Sequence, residues 1–560
     1  MKGWVESPRV RHYLGLSAIA AIAVVLRFAQ LDSKPLWLDE IITALFSLGR
    51  QTRDIPLDGF YGLDRLEELF SLNASASCPQ IARSLAIEST HPPLFFCLMH
   101  HWLGIAPWFS DSLTWQLRSL PALFGTGAIA MMYAIGRAAF SPTAGLWSAA
   151  VMAVSPFAVY LSQEARHYTL PLLLASLSLW GLVRIQRDLG KSGRWRGWIP
   201  WAIAHSLGFY AHYFLIIALV AQDLTLLAIA IWRRRELKLR DWSAFALANA
   251  AVLGAIAPWL PTLLGHVNRP ETDWFEPFNP TWIDSFAPIY QTLASWLVMA
   301  VTLPVERQPL WIAIPSGLLM VALFLWLVRD TAMGVRQLWH DGQHRDEIVT
   351  IGGFTLVVVV EFFAIAYLLG KDITTAPRYH FIYYPGICLL LGASLARHRQ
   401  PLSRIGGTAI LAGLLGSIFV INNLAFHKPY YPEVVAKELT FERSRPTAIL
   451  VGYRDLQEIA LGLSFLLEVE PRQPDAKFGF FRRVPHYQPI WQTLSQPQPL
   501  PDPPLNLWAI APGLKQVAYP EQFSLAIASQ TTLCQLDPNH YRRLGIPYQL
   551  YRCRSPHADK

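Results

Sequence analysis

Charged residues are scarce in this sequence. They make up 15% of its 560 residues, whereas hydrophobic residues make up 53%. Ordinary soluble domains are about 25% charged. The scarcity argues against a soluble protein, and so does the length of the apolar runs, because a membrane-spanning helix needs about 20 apolar residues. The net charge of +8 suggests nucleic-acid binding at first. However, the basic residues lie in short clusters between apolar runs, which is typical of membrane topology.

Several functional motifs are absent as well. The sequence has no glycine-rich phosphate loop, no Walker pattern and no HExxH motif, which argues against NTP-driven transport by this chain. We find no internal repeats, which a flippase or other transporter often shows. Its five cysteines have no metal-binding spacing and no CxxC pair. No small-residue cleavage site follows the first apolar run, so we interpret that run as a retained membrane span.

The apolar runs predict about eleven membrane-spanning helices. We place them at residues 12–30, 118–138, 143–161, 168–187, 198–212, 213–232, 242–262, 309–328, 348–369, 380–396 and 404–424. Two further apolar runs, 91–109 and 286–303, are interpreted as helices at the outer membrane interface. Counting 91–109 as a span would place every later basic cluster outside.

The basic clusters orient the chain. Those around Arg194, Arg235 and Arg345 fall on the side of the N-terminus, which is therefore predicted to be cytoplasmic. The acid-rich first loop, residues 31–117, lies on the other side. The predicted localisation is the cell membrane, with multiple passes and the active site on the extracytoplasmic face.

The composition changes after about residue 425, where proline becomes frequent and short strand-like runs replace the spans. The fold class predicted for the whole chain is an all-α polytopic membrane protein with a small C-terminal α/β domain outside the membrane. The domain boundaries are 1–425 and 426–560. Cys534 and Cys553 flank the last segment of this domain, and both a disulfide and two free thiols fit the sequence.

Unusual polar residues concentrate near the outer ends of the spans. Ionisable groups at the membrane edge are costly, so their convergence on one side indicates a functional cavity. The set consists of Asp39, Glu40, His91, Glu164, Arg166, His212, Tyr213, Arg378 and Tyr379.

The chemistry of these residues suits sugar transfer from a phosphate leaving group. A carboxylate such as Asp39 can take the proton of the acceptor, although acids at a helix start also simply stabilise the helix. Arg166 suits a phosphate, but it could instead pair with Glu164. Arg378 lies at an outer span end, where an anionic lipid headgroup or ordinary snorkelling explains it. His91 can donate a hydrogen bond to an anion.

The order of five motifs resembles a known family. The motifs are the Asp39–Glu40 pair after the first span, HPPL at 91–94, RSLPALFG beginning at Arg118, SQEARHYTL at 162–170 and PRYHF at 377–381. They resemble the polyprenyl-phosphate-dependent glycosyltransferases, which include protein O-mannosyltransferases and lipid A aminoarabinose transferases. The resemblance implies a GT-C membrane fold, a large first outer loop with interfacial helices, and transfer with inversion.

The resemblance also implies roles for individual residues. Asp39 would be the catalytic acid/base residue, with Glu40 beside it, and Glu164 matches a second acidic position that is often Asp. Arg118 matches an arginine that opens the second span. Arg166 and Arg378 are our candidates for the donor phosphate on chemical grounds. Some members have Lys in place of His91, which leaves the donor sugar and the use of a divalent metal open.

The function expected from these observations is transfer of a hexosyl or pentosyl group from a polyprenyl-phosphate donor to a glycan, lipid or protein acceptor outside the cytoplasm. The expected partners are that donor, the acceptor and membrane lipids, with no nucleic acid. A ligase or polymerase using a lipid-linked oligosaccharide is the nearer alternative. A lipid-glycan flippase is the more distant one.

Overall fold

The computed structural model describes residues 7–191, 195–233, 237–267, 269, 281–398, 404–484, 486–528 and 530–554. Arg194 and Arg235, which helped to orient the chain, lie outside the described residues. The chain forms two compact units. Unit 1 comprises Met1–Leu31, Leu85–Leu98 and Trp115–His427, and unit 2 comprises Asp32–Ser84, Met99–Thr114 and Lys428–Lys560. Whether residues 426–560 form a domain of their own stays a prediction.

The chain is mostly helical, with seven strands among the described residues. In chain order the helices are α1 (Pro8–Phe28), α2 (Leu38–Ser47), α3 (Leu63–Glu67), α4 (Cys78–Glu88), α5 (Leu94–Leu103), α6 (Leu113–Ala139), α7 (Pro142–Val154), α8 (Pro156–Ser162), α9 (Thr169–Asp188), α10 (Trp198–Ala211), α11 (Leu215–Trp232), α12 (Leu239–Ile256), α13 (Leu260–Val267), α14 (Ala287–Ala300), α15 (Leu310–His340), α16 (Arg345–Leu368), α17 (Tyr384–Ala396), α18 (Arg404–Ile421), α19 (Pro432–Leu439), α20 (Leu456–Val469) and α21 (Gln488–Thr493). The strands are β1 (Gly59–Gly62), β2 (Thr447–Tyr453), β3 (Lys477–Arg482), β4 (Leu505–Ile510), β5 (Gln522–Ile527), β6 (Gln530–Leu544) and β7 (Ile546–Arg554).

Within the described residues, eight helices are long and apolar enough to cross a membrane, or up to nine if a bent pair counts as one span. The protein is therefore a multi-pass membrane protein, as predicted. The count differs from eleven because two predicted spans are short helices. Helix α10 has 14 residues and α17 has 13, whereas a straight crossing takes about 20.

The predicted span 143–161 is not one continuous helix. Helices α7 and α8 meet at Ser155 with a bend of 61°. Pro156 lacks a backbone N–H and begins α8, while the Ser155 hydroxyl accepts from the Ala158 N–H as a cap. The sequence signal for this break is the Ser-Pro dipeptide inside an apolar run.

Side chains of unit 1 satisfy the carbonyl groups that the break leaves open. Arg27 of α1 donates to the carbonyl oxygens of Met152 and Ala153, each at 3.0 Å. Ser417 donates to that of Val154 at 2.8 Å. Buried carbonyl groups without partners are costly, so Arg27 and Ser417 stabilise the bend that leads into the 163–168 loop.

Unit 2 contains one seven-stranded sheet with the order β1-β3-β2-β4-β7-β6-β5. Strands β3, β2 and β4 are parallel, and β7 pairs antiparallel with β4. The apolar run of β2 is buried over its whole length, as a central parallel strand requires. Helix α20 begins at Asp455, whose carboxylate accepts from the backbone N–H groups of Gln457 and Glu458.

The sheet includes a strand that the sequence did not reveal. Strand β1 comes from the first loop and pairs antiparallel with β3, and Phe60 packs into the sheet core. Gly479 allows the close approach, because a Cβ there would lie 2.7 Å from the Gly59 carbonyl oxygen. At the other end of the sheet, Cys534 of β6 and Cys553 of β7 form a disulfide, which decides the alternative left open above.

Candidate functional site

Four segments of unit 1 bring their polar side chains into one cluster. They are the residues before α5, the loop between α8 and α9, the end of α10 and the 3-10 helix Pro377–Ile382. Short loops and turns at helix ends hold these segments, and most of the side chains are buried. We call the group the unit 1 cluster, defined as His91, Arg166, His167, Tyr168, His212, Arg378 and Tyr379.

His91 and Arg166 form a defined pair in this cluster. The Arg166 Nη2 lies 3.1 Å from His91 Nε2, and the Ser89 hydroxyl lies 2.8 Å from His91 Nδ1. A guanidinium can only donate, so Nε2 accepts and the proton of the neutral ring is on Nδ1. His91 thus orients Arg166 in this arrangement. Donation from His91 to an anion, the role predicted from the sequence, stays a prediction.

Two guanidinium groups lie on one aromatic ring. Arg166 is 5.7 Å and Arg378 is 5.8 Å from the centre of the Tyr168 ring, and Arg378 also lies 5.8 Å from that of Tyr379. Cation–π contact stabilises each guanidinium. Two positive charges at one buried ring repel each other, however, and an anion between them would relieve that repulsion.

Two histidines extend the cluster. The rings of His167 and His212 lie 4.8 Å apart, and His167 lies 5.1 Å from His91. The Phe214 N–H donates to His212 Nδ1 at 3.1 Å, which places the proton of the neutral ring on Nε2. The Nδ1 atom of His167 is buried and has no hydrogen-bond partner among the described residues. Both rings can therefore still bond to a ligand.

The electrostatic environment of these histidines is positive. Burial lowers the pKa of His212 to about 3, and the neighbouring Arg166 and Arg378 lower it further. Burial and the same arginines hold the pKa of His91 and of His167 well below the usual value. The three rings are therefore neutral near pH 7, so the fixed charge of the cluster resides on its arginines.

Three residues of unit 1 that the sequence predicted for the site are not part of this cluster: Arg118, Tyr213 and Glu164. Arg118 is buried and donates to the Leu31 carbonyl oxygen at 2.7 Å, which ties α6 to the end of the first span. The Tyr213 hydroxyl lies 3.0 Å from His266 Nδ1 and accepts from Trp259 Nε1 at 2.8 Å. Glu164 is buried, and its carbonyl oxygen accepts from the Arg166 N–H at 2.7 Å.

Unit 2 contains the predicted carboxylate pair at the start of α2. Glu40 is completely buried, and its carboxylate accepts from the Trp37 N–H at 3.3 Å. Asp39 is half-buried in the same first turn. The Tyr430 hydroxyl accepts from the Leu38 N–H at 2.5 Å. Burial raises the pKa of Tyr430, and the nearby charges of Asp39 and Glu40 add to the shift.

The two carboxylates therefore differ in environment. Glu40 stabilises its own helix start, while Asp39 keeps the greater exposure. Among the described residues, no group of three or more His, Cys, Asp or Glu side chains is arranged to hold a metal ion.

Two further residues of the 162–170 motif, His167 and Tyr168, belong to the unit 1 cluster, although the sequence alone did not indicate them. Their place in the cluster depends on tertiary packing. The Tyr168 ring contacts both arginines, and His167 lies between His91 and His212. Arg27 was missed as well. An arginine inside the first apolar run was the available signal.

Comparisons with known proteins agree with this architecture. Residues 90–261 match the family model of dolichyl-phosphate-mannose-protein mannosyltransferase. The fold is similar to that of ArnT from Cupriavidus metallidurans in the apo state, with 13% identity, a TM-score of 0.54 and coverage of 96% of this chain and 97% of that one. The same enzyme bound to undecaprenyl phosphate has 12% identity, a TM-score of 0.51 and the same coverage.

A third structure is less similar. The archaeal oligosaccharyltransferase AglB from Archaeoglobus fulgidus, in complex with an inhibitory peptide and a dolichol-phosphate, has 12% identity and a TM-score of 0.46, and the match covers 84% of this chain and 65% of that one. No curated protein sequence matches this chain.

The family model matches the part of the chain that carries most of the motifs of the resemblance, residues 90–261, and the solved structures show that the GT-C fold is shared. The matched range contains His91, Arg118, Glu164, Arg166 and His212. The predicted fold class, a helical GT-C membrane fold whose C-terminal region contains a β-sheet, is confirmed.

Proposed function

We propose that this protein transfers a sugar from a polyprenyl-phosphate donor to an extracytoplasmic acceptor with inversion at the anomeric carbon. The observation that carries the proposal is the pair of guanidinium groups, buried Arg166 and half-buried Arg378, on the buried Tyr168 ring, inside a cluster whose histidines are neutral. Such a cluster suits a phosphate, because guanidinium groups form strong charge-assisted hydrogen bonds to phosphate oxygens. One solved ArnT structure is bound to undecaprenyl phosphate, which supports a polyprenyl phosphate as the lipid carrier.

In the proposed reaction, the acceptor oxygen attacks the anomeric carbon of the donor sugar. The new glycosidic bond forms while the bond from that carbon to the phosphate oxygen breaks. A carboxylate takes the acceptor proton, and Asp39 is the candidate that the family resemblance supplies. Arg166 and Arg378 stabilise the negative charge that develops on the leaving polyprenyl phosphate, and His91 keeps Arg166 oriented.

Disulfides support the proposed outer location of the first loop and of the C-terminal region. Four of the five cysteines are disulfide-bonded, at positions 78, 97, 534 and 553, and Cys388 is free and buried. Disulfides persist in oxidising compartments and are rare in the cytosol. The segments that contain them therefore belong on the extracytoplasmic side.

The activity can be tested with the purified full-length protein in detergent, supplied with synthetic polyprenyl-phosphate sugars and candidate acceptors. Mass spectrometry should detect a glycosylated acceptor and free polyprenyl phosphate in equal amounts. Release of a lipid pyrophosphate from an oligosaccharide donor would favour the ligase alternative. Movement of the lipid across a vesicle without bond cleavage would favour a flippase.

The orientation can be tested by labelling single introduced cysteines in intact cells with a membrane-impermeant reagent. Val517 is 93% exposed in unit 2, and Asp341 is exposed in the turn between α15 and α16. We expect Val517→Cys to react and Asp341→Cys to react only after permeabilisation. The reverse pattern would place the carboxylates and the disulfides on the cytoplasmic side and would contradict the proposal.

A further inference from the structure

Unit 2 contains a polar cavity that the proposed reaction does not use. Its volume is about 150 Å³, and its wall includes Phe46 from α2, Arg50, Arg53 and Asp54 from the following turn, and Asn73 and Gln80. We call it the loop cavity. Its size suits a small polar group.

A close contact at a glycine and hydrogen bonds to backbone carbonyl groups hold the walls of the loop cavity in place. Gly49 has φ +77°, and a Cβ there would lie 2.5 Å from the Ala76 Cβ, so only glycine fits. The Asn73 N–H donates to the Leu48 carbonyl oxygen at 2.9 Å. The Arg50 Nη2 donates to the carbonyl oxygens of Glu68 at 2.8 Å and Ser71 at 3.0 Å. The cavity is thus formed before any ligand arrives, as binding sites usually are.

The side-chain NH₂ groups of Asn73 and Gln80, which line the loop cavity, remain available as hydrogen-bond donors. The Asn73 Oδ1 accepts from the Ser75 hydroxyl at 2.7 Å and from its N–H at 3.2 Å. The Gln80 Oε1 accepts from the Ser77 N–H at 2.7 Å and from its hydroxyl at 3.0 Å. Because both amide oxygens are engaged, each side chain has its NH₂ group left for a further acceptor.

The charge of the lining is positive. Arg50 and Arg53 face a single acidic lining residue, Asp54, whose carboxylate already accepts from the Gln51 N–H at 2.8 Å. Arg53 is exposed, and the described residues provide no hydrogen bond or ion pair to its guanidinium. An excess of donors and of positive charge recognises a group rich in acceptor oxygens, which means a phosphate or a carboxylate.

Helix α2 relates the loop cavity to the carboxylate pair. Asp39 lies in its first turn, and Phe46, seven residues later, lines the cavity. At 1.5 Å per residue the two positions are roughly 10 Å apart along the helix. We propose that the loop cavity anchors an oxyanion group carried by the acceptor, while the reacting oxygen of the same acceptor lies at Asp39. This inference rests on the proposed function.

A binding titration tests the cavity without requiring catalysis. Full-length protein carrying Arg378→Ala, which weakens phosphate binding by the unit 1 cluster, is titrated calorimetrically with inorganic phosphate, with glucuronate and with glucose. We expect saturable binding of phosphate or of glucuronate, and the better ligand identifies the anion. Adding Arg53→Gln should weaken that binding at least tenfold. Adding Arg83→Gln, which changes an exposed arginine of α4 outside the cavity wall, should leave it unchanged.

Absence of saturable anion binding, equal binding after Arg53→Gln, or glucose binding as tight as that of the anions would each overturn the inference. Folding of each variant is checked by its apparent Tm, and Asn73→Ala provides a second variant with no change of charge, for which we also expect weaker anion binding. Unchanged binding in both Arg53→Gln and Asn73→Ala would show that the anion binds elsewhere.

Kinetics separates this inference from the proposed function. With an acceptor that bears a phosphate or carboxylate, Arg53→Gln should raise KM about tenfold with kcat unchanged, because only uniform binding is lost. With a neutral acceptor it should change neither constant. Equal loss for both acceptors would contradict the anchor. If no variant or acceptor supports transfer at all, the proposed function fails, while the titration still decides whether the cavity binds an anion.

Discussion

The two units assemble their polar groups in different ways. The unit 1 cluster draws residues from positions as far apart as His91 and Arg378, and the cluster exists only when four segments pack together. Asp39 and Glu40 of unit 2 share one helix turn, and the bond from the Trp37 N–H to the Glu40 carboxylate fixes that turn. Substitutions in the cluster are therefore expected to act through their neighbours, whereas those in α2 should act one residue at a time.

The largest effect should come from Asp39. Asp39→Asn removes the proposed base, so the rate of transfer should fall about a hundred- to ten-thousandfold, the usual value of general-base catalysis. The measurement is product formation from a purified lipid donor at saturating acceptor. Donor binding and apparent Tm serve as controls and should stay near wild type. If more than about a tenth of the activity remains, Glu164 becomes the next candidate for the base.

Arg378→Ala should give the second-largest loss of activity. Arg378→Ala removes a charge-assisted contact worth about 1.5–3 kcal/mol, which corresponds to roughly a 10- to 100-fold lower rate. The loss should appear in kcat more than in donor binding, because the leaving phosphate gains charge in the transition state. Arg184→Ala is the matched control, since Arg184 lies 4.5 Å from the centre of the Trp180 ring on α9. Equal activity of both variants would mean that Arg378 only snorkels.

The neutral histidines predict a dependence of stability on pH. The pKa of His212 is lowered to about 3 in the folded protein from 6.5. The stability it contributes is therefore present above pH 6.5 and is lost as the pH falls toward 3. The slope is about 1.4 kcal/mol per pH unit for each such histidine.

The apparent Tm at pH 7 and pH 5 measures this effect. The decrease between the two values should be smaller in His212→Gln than in the wild type. The exposed His101 provides a control, and His101→Gln should behave as the wild type does. A decrease of the same size in His212→Gln would show that the pKa of His212 is the same in the folded and the unfolded protein.

Glu40 should give the smallest effect. In Glu40→Gln the amide oxygen can still accept from the Trp37 N–H, so helix α2 keeps its cap and transfer should fall less than tenfold. Glu40→Ala removes the cap and should lower the apparent Tm, since such caps are worth about 0.5–2 kcal/mol. Loss of activity in Glu40→Gln comparable to that in Asp39→Asn would assign Glu40 a chemical role as well.

The same contrast explains how much the sequence could predict. Asp39 and Glu40 were found because a helix start after a membrane span is a local signal. Apolar runs, basic clusters and the change in composition near residue 425 gave the membrane class and the α/β character of the C-terminal region. The role of His91 as a partner of Arg166 could not be found, because it depends on a contact between residues 75 positions apart. Strand β1 was missed because four residues, two of them glycine, carry almost no strand pattern.

Strand β1 also constrains the order in which the chain can fold during synthesis. Its partner strand begins at Lys477, more than 400 residues after Gly62. Ribosomes add about 5–20 residues per second, so β1 waits for roughly 20 to 80 s before its partner exists. Strands β2 and β3 pair with each other without it. Because β1 is short and carries glycine at both ends, it offers other chains little to pair with during that wait. The first segment of the sheet to be translated therefore cannot be incorporated until the third strand in chain order, β3, has been made.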